Sequence, residues 1–342
     1  MPSQPTIMLI YTGGTIGMIK DFETGALRNF DFDELLNHIP ELKLLDCTIE
    51  TVSFKKPIDS SDMNTEAWIA LAEIIESQNH RVDGFVILHG SDTMSFSASA
   101  LSFMLENLDK PVIFTGSQLP IGDLRTDAKE NLITSIQIAA LRENDQPVIR
   151  EVCLYFEYKL FRGNRTTKIS AEHFEAFTSM NYPPLAESGM NLFVNRDLLF
   201  RPNLKKPLIV HKELETRILV VKMFPGMDKN TFEYLTDYPD LKALIIETYG
   251  TGNVTTEKWF LNKLKTLTAR EIPIINITQC EKGSVLMGLY ETSTELKKIG
   301  IISGKDINFE AAIAKTMYLL GKKLSLNSFK TFFETSLRGE MD

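Results

Sequence analysis

TIMLIYTGGTIG, residues 6–17, is an apolar run that breaks into two glycines held between threonines. Residues 6–11 are apolar almost throughout, the composition of a strand covered by helices on both faces. Thr12-Gly13-Gly14-Thr15 then forms a loop whose backbone N–H groups stand clear of side chains. A buried strand that ends in such a loop is how an α/β unit begins. The same grammar returns at FVILH (85–89), VIFTG (112–116) and VCLYF (152–156). It restarts in a second set at ILVVKMF (218–224), ALIIETY (243–249) and IPIINIT (272–278).

Helical patterns lie between these runs. Residues 65–77 place Trp68, Leu71, Ala72 and Ile75 on one face, with Asn64 set to cap the start. Residues 97–108 and 127–141 read the same way, and Asp127 with Glu130 has the spacing of a capping box. Residues 309–320 form a late helix. The stretch 196–217 carries prolines and charges without a period and reads as a linker. A chain of 342 residues exceeds the usual single-core size. The expected organisation is therefore an N-terminal catalytic α/β domain over 1–195, a linker over 196–216 and a second α/β domain over 217–342. No repeat or low-complexity tract interrupts it.

Hydrophobic residues make up 43% and charged residues 24%, so neither disorder nor a fibre is indicated. The formal net charge of −8 argues against nucleic acid or an anionic membrane surface, both of which demand a basic footprint. Three widely spaced cysteines, Cys47, Cys153 and Cys280, form no disulfide framework and fit a reducing compartment. The N-terminal residues lack a basic segment followed by a long apolar one, so no secretory signal is read there. No stretch approaches the ~18–20 apolar residues that span a bilayer. The expectation is a soluble, cytoplasmic protein.

In open α/β sheets ligands bind beyond the carboxyl ends of the strands, so residues just after each strand carry the information. Thr12-Gly13-Gly14-Thr15 follows the first, Gly90-Ser91-Asp92-Thr93 follows the run at 85–89, and Ser117-Gln118 follows that at 112–116. The spacing is neither GxGxxG nor GxxxxGK[ST], which leaves no phosphate-loop reading. Taken singly, Thr12 or Thr15 is a turn hydroxyl bonded to local backbone. A hydroxyl nucleophile needs an adjacent base. Lys168, in the polar segment RGNRTTK (162–168), can serve as one, and Asp92 can orient it. The plainer reading of Lys168 is a solvated surface lysine. His89 ends a buried strand and reads as a core histidine with a hydrogen-bonded ring. His38, His80, His173 and His211 are scattered. With no HExxH and no paired CxxC, neither a metal nor another cofactor is expected. No GxSxG elbow is present.

These residues, in this order, resemble the bacterial-type L-asparaginase family. One signature is matched by Tyr11-Thr12-Gly13-Gly14-Thr15-Ile16-Gly17 and the other by residues 84–94, GFVILHGSDTM. The likeness extends over essentially the whole chain, through Asp59-Ser60-Ser61-Asp62-Met63-Asn64, the RGNRTTK segment and Asn276-Ile277-Thr278-Gln279-Cys280, and looks closest to the cytoplasmic type I branch. The resemblance implies an α/β fold with a larger N-terminal, Rossmann-like domain on a mixed or parallel sheet and a smaller flavodoxin-like C-terminal domain. It implies hydrolysis of L-asparagine, with Thr15 as the acylated nucleophile. Ser91, Asp92 and Lys168 would assist proton transfer. Ser60 and Asp92 would bind the substrate's α-carboxylate and α-ammonium, with Ser61, Ser91 and Ser117 nearby. Self-association as a dimer or a dimer of dimers is also implied.

Three positions depart from the family pattern. Serine stands at 91 where the family has threonine, which keeps the hydroxyl and removes a methyl that limits the rotamer. Ala26 stands where the mobile loop carries a tyrosine. Glu247 replaces an arginine that, with the cysteine matched by Cys280, serves a second asparagine site in type I relatives, and an acidic residue there repels a carboxylate. Rival readings are a subunit of a tRNA-dependent amidotransferase, a lysophospholipase-like relative and a non-catalytic asparagine sensor. The first would have an added N-terminal domain, and TGGT begins at residue 12; the second would have a trailing ankyrin array, and the sequence ends at Asp342. The third would lack Thr15 or Lys168, and both are present.

Overall fold

The structure, a computed structural model, describes residues 4–20, 27–29, 39–288 and 291–342. Two compact units divide the chain, Met1–Lys212 and Glu213–Asp342. Both are α/β.

The N-terminal unit is built on eight strands: β1 (Thr6–Tyr11), β2 (Thr48–Ser53), β3 (Gly84–Leu88), β4 (Val112–Thr115), β5 (Val152–Phe156), β6 (Lys159–Arg162), β7 (Ala186–Ser188) and β8 (Leu192–Val194). Their order across the sheet is β8-β7-β6-β5-β4-β3-β1-β2. From β2 to β5 every pairing is parallel, with Ile7 opposite Gly84 and Ile49, and Phe85 opposite Val112. From β5 to β8 every pairing is antiparallel. The chain leaves β1 for β2 on one side and returns to β3 on the other. That reversal makes the gap beyond β1 and β3 a topological switch point, where an open sheet forms its crevice.

The strands quoted above as continuous apolar runs are the buried ones: β1, β3, β4 and β5 present Ile7, Leu9, Phe85, Val86, Phe114 and Leu154 with no exposed surface. Each such side chain contributes about 1.5–3 kcal/mol by leaving water. Helices α1 (Thr65–Gln78), α2 (Met94–Met104) and α3 (Ala128–Ala139) cover the sheet. Asn64 caps α1 through Oδ1 to Ala67 N at 3.0 Å, as its position predicts. Helix α2 starts three residues earlier than the 97–108 expected, because it runs on from the turn at Ser91–Thr93. In the stretch expected as a linker, Arg196–Leu198 forms a 3-10 turn and Ile209–Val210 pairs with Leu105–Glu106.

The capping box expected at α3 is not formed. Asp127 makes no side-chain bond to the helix's first N–H groups, and Thr126 Oγ1 accepts from Ala128 N instead. The Asp127 carboxylate turns outward to a neighbouring loop, and Glu130 accepts from the Tyr155 hydroxyl at 2.8 Å. A bond available from a distant strand replaces the local one.

The C-terminal unit carries a four-stranded, wholly parallel sheet in sequential order, β9 (Ile218–Lys222), β10 (Ala243–Thr248), β11 (Ile274–Thr278) and β12 (Ile302–Ser303). Helices α4 (Lys229–Thr236), α5 (Lys258–Ala269), α6 (Glu291–Ile299), α7 (Phe309–Gly321) and α8 (Leu326–Phe333) flank it. Its core gathers Phe232, Leu244, Ile246, Phe260, Leu264 and Leu296. With sequential strand order this sheet has no switch point, so the crevice argument falls on the N-terminal unit alone. Among the described residues no helix is long and apolar enough to cross a membrane.

Candidate active site

Five segments of the N-terminal unit meet around the switch point. The first follows β1. Thr12 is fully buried, and both its N–H and its hydroxyl donate to the Leu88 carbonyl, at 3.0 and 2.9 Å. Its own carbonyl accepts from Ile58 N at 2.7 Å. Thr12 is thus a tie between strands, whereas Thr15 opens a 3-10 turn, Thr15–Gly17, and is half-buried. Gly13 and Gly14 have φ of 135° and 93°. A Cβ on Gly14 would stand 2.5 Å from Gly90 N, so only glycine lets the loops after β1 and β3 touch. Thr15 and Ser91 each lie one residue beyond that contact.

The loop after β3 is set by His89. Its ring is wholly buried, with Nδ1 2.7 Å from Gly90 O and Nε2 2.9 Å from Ser97 Oγ, which also accepts from Trp68 Nε1. A carbonyl can only accept, so Nδ1 carries the proton and Ser97 donates to Nε2. Burial pulls the imidazole down to about 4, against a smaller opposing effect of the Gly90 bond. This is the core histidine expected from the sequence, and it holds the carbonyl of Gly90 in place.

Lys168 arrives by a longer route. Arg162 ends β6 in a buried ion pair with Glu151, Nε to Oε2 2.6 Å. A 3-10 turn at Gly163–Arg165 follows, Thr166 Oγ1 donates to Arg162 O, and Thr167–Lys168 pairs with Phe177–Thr178. The Lys168 ammonium donates to Ser91 Oγ at 2.9 Å and Asp92 Oδ1 at 2.6 Å. Its side chain is 15% exposed, which excludes the solvated surface lysine, while that of Asp92 is 63% exposed.

Residues 59–62 form the fourth wall. Asp59 accepts from the backbone N and the hydroxyl of Ser61, both at 2.9 Å, and these bonds hold its carboxyl below the usual carboxylate range. Ser60 is buried against Gly90, where a Cβ would come within 2.5 Å of its Oγ, and Thr93 Oγ1 donates to Ser60 O at 2.6 Å. Ser61 has its hydroxyl proton committed to Asp59. The fifth wall follows β4, where the buried Ser117 commits its own proton to Leu119 O at 2.5 Å.

Ser91, Asp92 and Lys168 are therefore in direct contact, Ser60 packs on their loop, and Thr15 follows Gly14, which touches that loop. Ser61 and Ser117 border the site with hydroxyls already engaged. The Ala26 position of the loop tyrosine lies outside the described residues, as does His38. Sequence reasoning missed Thr93 and the role of Gln118, whose amide joins Ser91 Oγ to His173 O. It also missed Asp127, whose carboxylate receives the N–H groups of Gln118 and Leu119, and which burial raises above the usual range against those bonds. For Thr93 and Gln118 the signal was position alone, shortly after a strand; for Asp127 it was only its place at a helix start. Among the described residues no cluster of His, Cys, Asp and Glu could hold a metal ion.

Fold and site together define a two-unit α/β protein whose polar groups converge at the strand ends of its N-terminal unit. Residues 6–200 match the family model "Asparaginase, N-terminal" and residues 217–333 match "Glutaminase/Asparaginase C-terminal domain". The chain belongs to the asparaginase family. It is 41% identical over 337 residues to L-asparaginase 1 of Escherichia coli K12, covering 98% of each chain. It is 38% identical over 365 residues to the 60 kDa lysophospholipase of Mus musculus, covering all of this chain and 63% of that protein. Among solved structures, L-asparaginase I from Vibrio cholerae superposes with a TM-score of 0.90 at 38% identity, covering 99% of this chain and 100% of that one.

Proposed function

We propose that this chain hydrolyses the side-chain amide of L-asparagine to L-aspartate and ammonia through an acyl-enzyme on Thr15. The observation that supports the reading is the Lys168 ammonium on Ser91 and Asp92, at 2.9 and 2.6 Å, in a loop that touches Gly14, the residue before Thr15. The Thr15 hydroxyl adds to the amide carbon and the C–N bond breaks. Lys168 gives a proton to the departing nitrogen, and the threonine proton replaces it. Water then adds to the ester, the C–Oγ bond breaks, and a proton returns to Thr15. Backbone N–H groups of the glycine loops hold the developing oxyanion, and removing one such donor typically costs ~10²–10³ in rate. Asp92 suits the substrate's α-ammonium, and Ser60 with neighbouring backbone N–H groups suits the α-carboxylate. Holding the head group orients the amide for attack.

We also assign the protein to the cytoplasm, an assignment supported by three unpaired cysteines, two of them buried. We propose assembly as a dimer of dimers, which light scattering on the purified protein measures. Glutamine is one methylene longer, and packing discriminates one methylene by only ~1–3 kcal/mol, so packing alone leaves room for a glutaminase side activity.

Ammonia release by the purified protein, with asparagine and with glutamine, tests the reading directly. Thr15→Ala should lower turnover ~10⁴-fold or more, the scale seen when a nucleophile is removed. It should still bind aspartate. Wild-type ammonia release by that variant would reject Thr15, and no release by the unaltered protein would leave a binding protein.

A further inference from the structure

Gln118 is the second side chain on Ser91, and its bonds have a direction. Its backbone N donates to both Asp127 carboxylate oxygens at 3.1 and 2.9 Å, which fixes where the residue stands. Its Nε2 donates to His173 O at 3.0 Å, and its Oε1 faces Ser91 Oγ at 3.2 Å. An ammonium only donates and a backbone carbonyl only accepts. With Lys168 at one end and His173 O at the other, every proton between them is assigned: Lys168 to Ser91, Ser91 to Gln118, Gln118 to His173.

A serine hydroxyl has one proton and two lone pairs. On Ser91 the proton goes to Gln118 and one lone pair meets Lys168, which leaves a single acceptor position. We propose that Gln118 is a positioning residue that makes Ser91 a pure hydrogen-bond acceptor towards the cleft. This rests on the reading of Thr15 as nucleophile. The Thr15 proton then turns to Ser91, and its lone pair is left for the amide carbon. Without Gln118 the Ser91 hydroxyl can swing its proton into the cleft and occupy the lone pair that must attack.

The same amide ties the loop after β4 to the segment after Lys168, so a merely structural role has to be separated. Gln118→Glu keeps an acceptor for Ser91 but loses the donor to His173 O; Gln118→Met loses both. Steady-state ammonia release should show kcat of Gln118→Met lowered about tenfold, the value of one hydrogen bond, with KM changed by less than about twofold. Gln118→Glu should hold kcat within about threefold of the unaltered protein. In a Ser91→Ala background, Gln118→Met should change kcat by less than about twofold, because the group it positions is gone. If Gln118→Met loses its cooperative melting transition, Gln118→Leu takes its place. Equal losses in the Glu and Met variants, or an undiminished loss in the Ser91→Ala background, overturn the positioning role while leaving the function standing. Absence of ammonia release from the unaltered protein overturns both.

Discussion

At the scale of single residues, the site depends on which groups have their protons already committed. His89 shows this without touching substrate. Its proton sits on Nδ1 and binds Gly90 O, so the ring is neutral and the turn carrying Ser91 and Asp92 is held from below. Its ordinary value near 6.5 is depressed to about 4 in the folded chain. Between those values the unfolded chain binds more protons than the folded one, so stability rises with pH across the window. The contribution is complete above 6.5 and is lost as pH falls towards 4; it is on the order of 3 kcal/mol. Urea unfolding at pH 7 and at pH 5 should show the stability gap between the unaltered protein and His89→Gln narrowing at the lower pH. A gap that does not change would mean that the ring binds its proton as readily in the fold as in the unfolded chain. That His89 is a core residue was legible from its place at the end of an apolar run. Which nitrogen holds the proton was not, because it depends on the ring turning Nδ1 to the Gly90 carbonyl and Nε2 to Ser97 of α2.

At the scale of elements, local signals succeeded where local bonds decide. Asn64 precedes an amphipathic run, and α1 begins there with Oδ1 on Ala67 N. Asn64→Ala should cost ~1 kcal/mol, read as a lower urea midpoint with an unchanged slope. No loss would show that packing of Trp68 and Leu71 alone sets the helix start. Local signals failed where a distant partner outbid them, as Tyr155 and the Gln118 loop did for Glu130 and Asp127. The β5–β6 hairpin was hidden for another reason. Its two turn residues, Glu157 and Tyr158, have φ of 44° and 67°, a conformation usually given to Asn-Gly. Strand β2 was hidden because it is an edge strand, half-exposed and without a continuous apolar run.

At the scale of the whole molecule, the C-terminal unit has a stabilising device of its own. Lys315, in α7, and Glu340 form a fully buried ion pair, and the ammonium also donates to the carbonyls of Phe333 and Thr335, each at 2.7 Å. Glu340 in turn accepts from the N–H groups of Leu337 and Arg338. Burial pushes the Lys315 ammonium down, against the pull of Glu340. Lys315→Met strands a buried carboxylate and should cost about 3–5 kcal/mol. Trp259 fluorescence in a Trp68→Phe background follows that unit in urea, and a loss below ~1 kcal/mol would show that the pair is dispensable. From the sequence Lys315 was only one position within a late helix. The sequence by itself determined the α/β class, most buried strands, the glycine-rich loops and the residues at each strand end. All of these follow from periodicity and backbone conformation over a few neighbours. Only the tertiary structure decided that Lys168 lies on Ser91 and Asp92, 77 and 76 positions away, and that Gln118 closes the same chain of bonds. Strand order and register set such contacts, and they depend on packing summed over the whole sheet, which no short segment encodes.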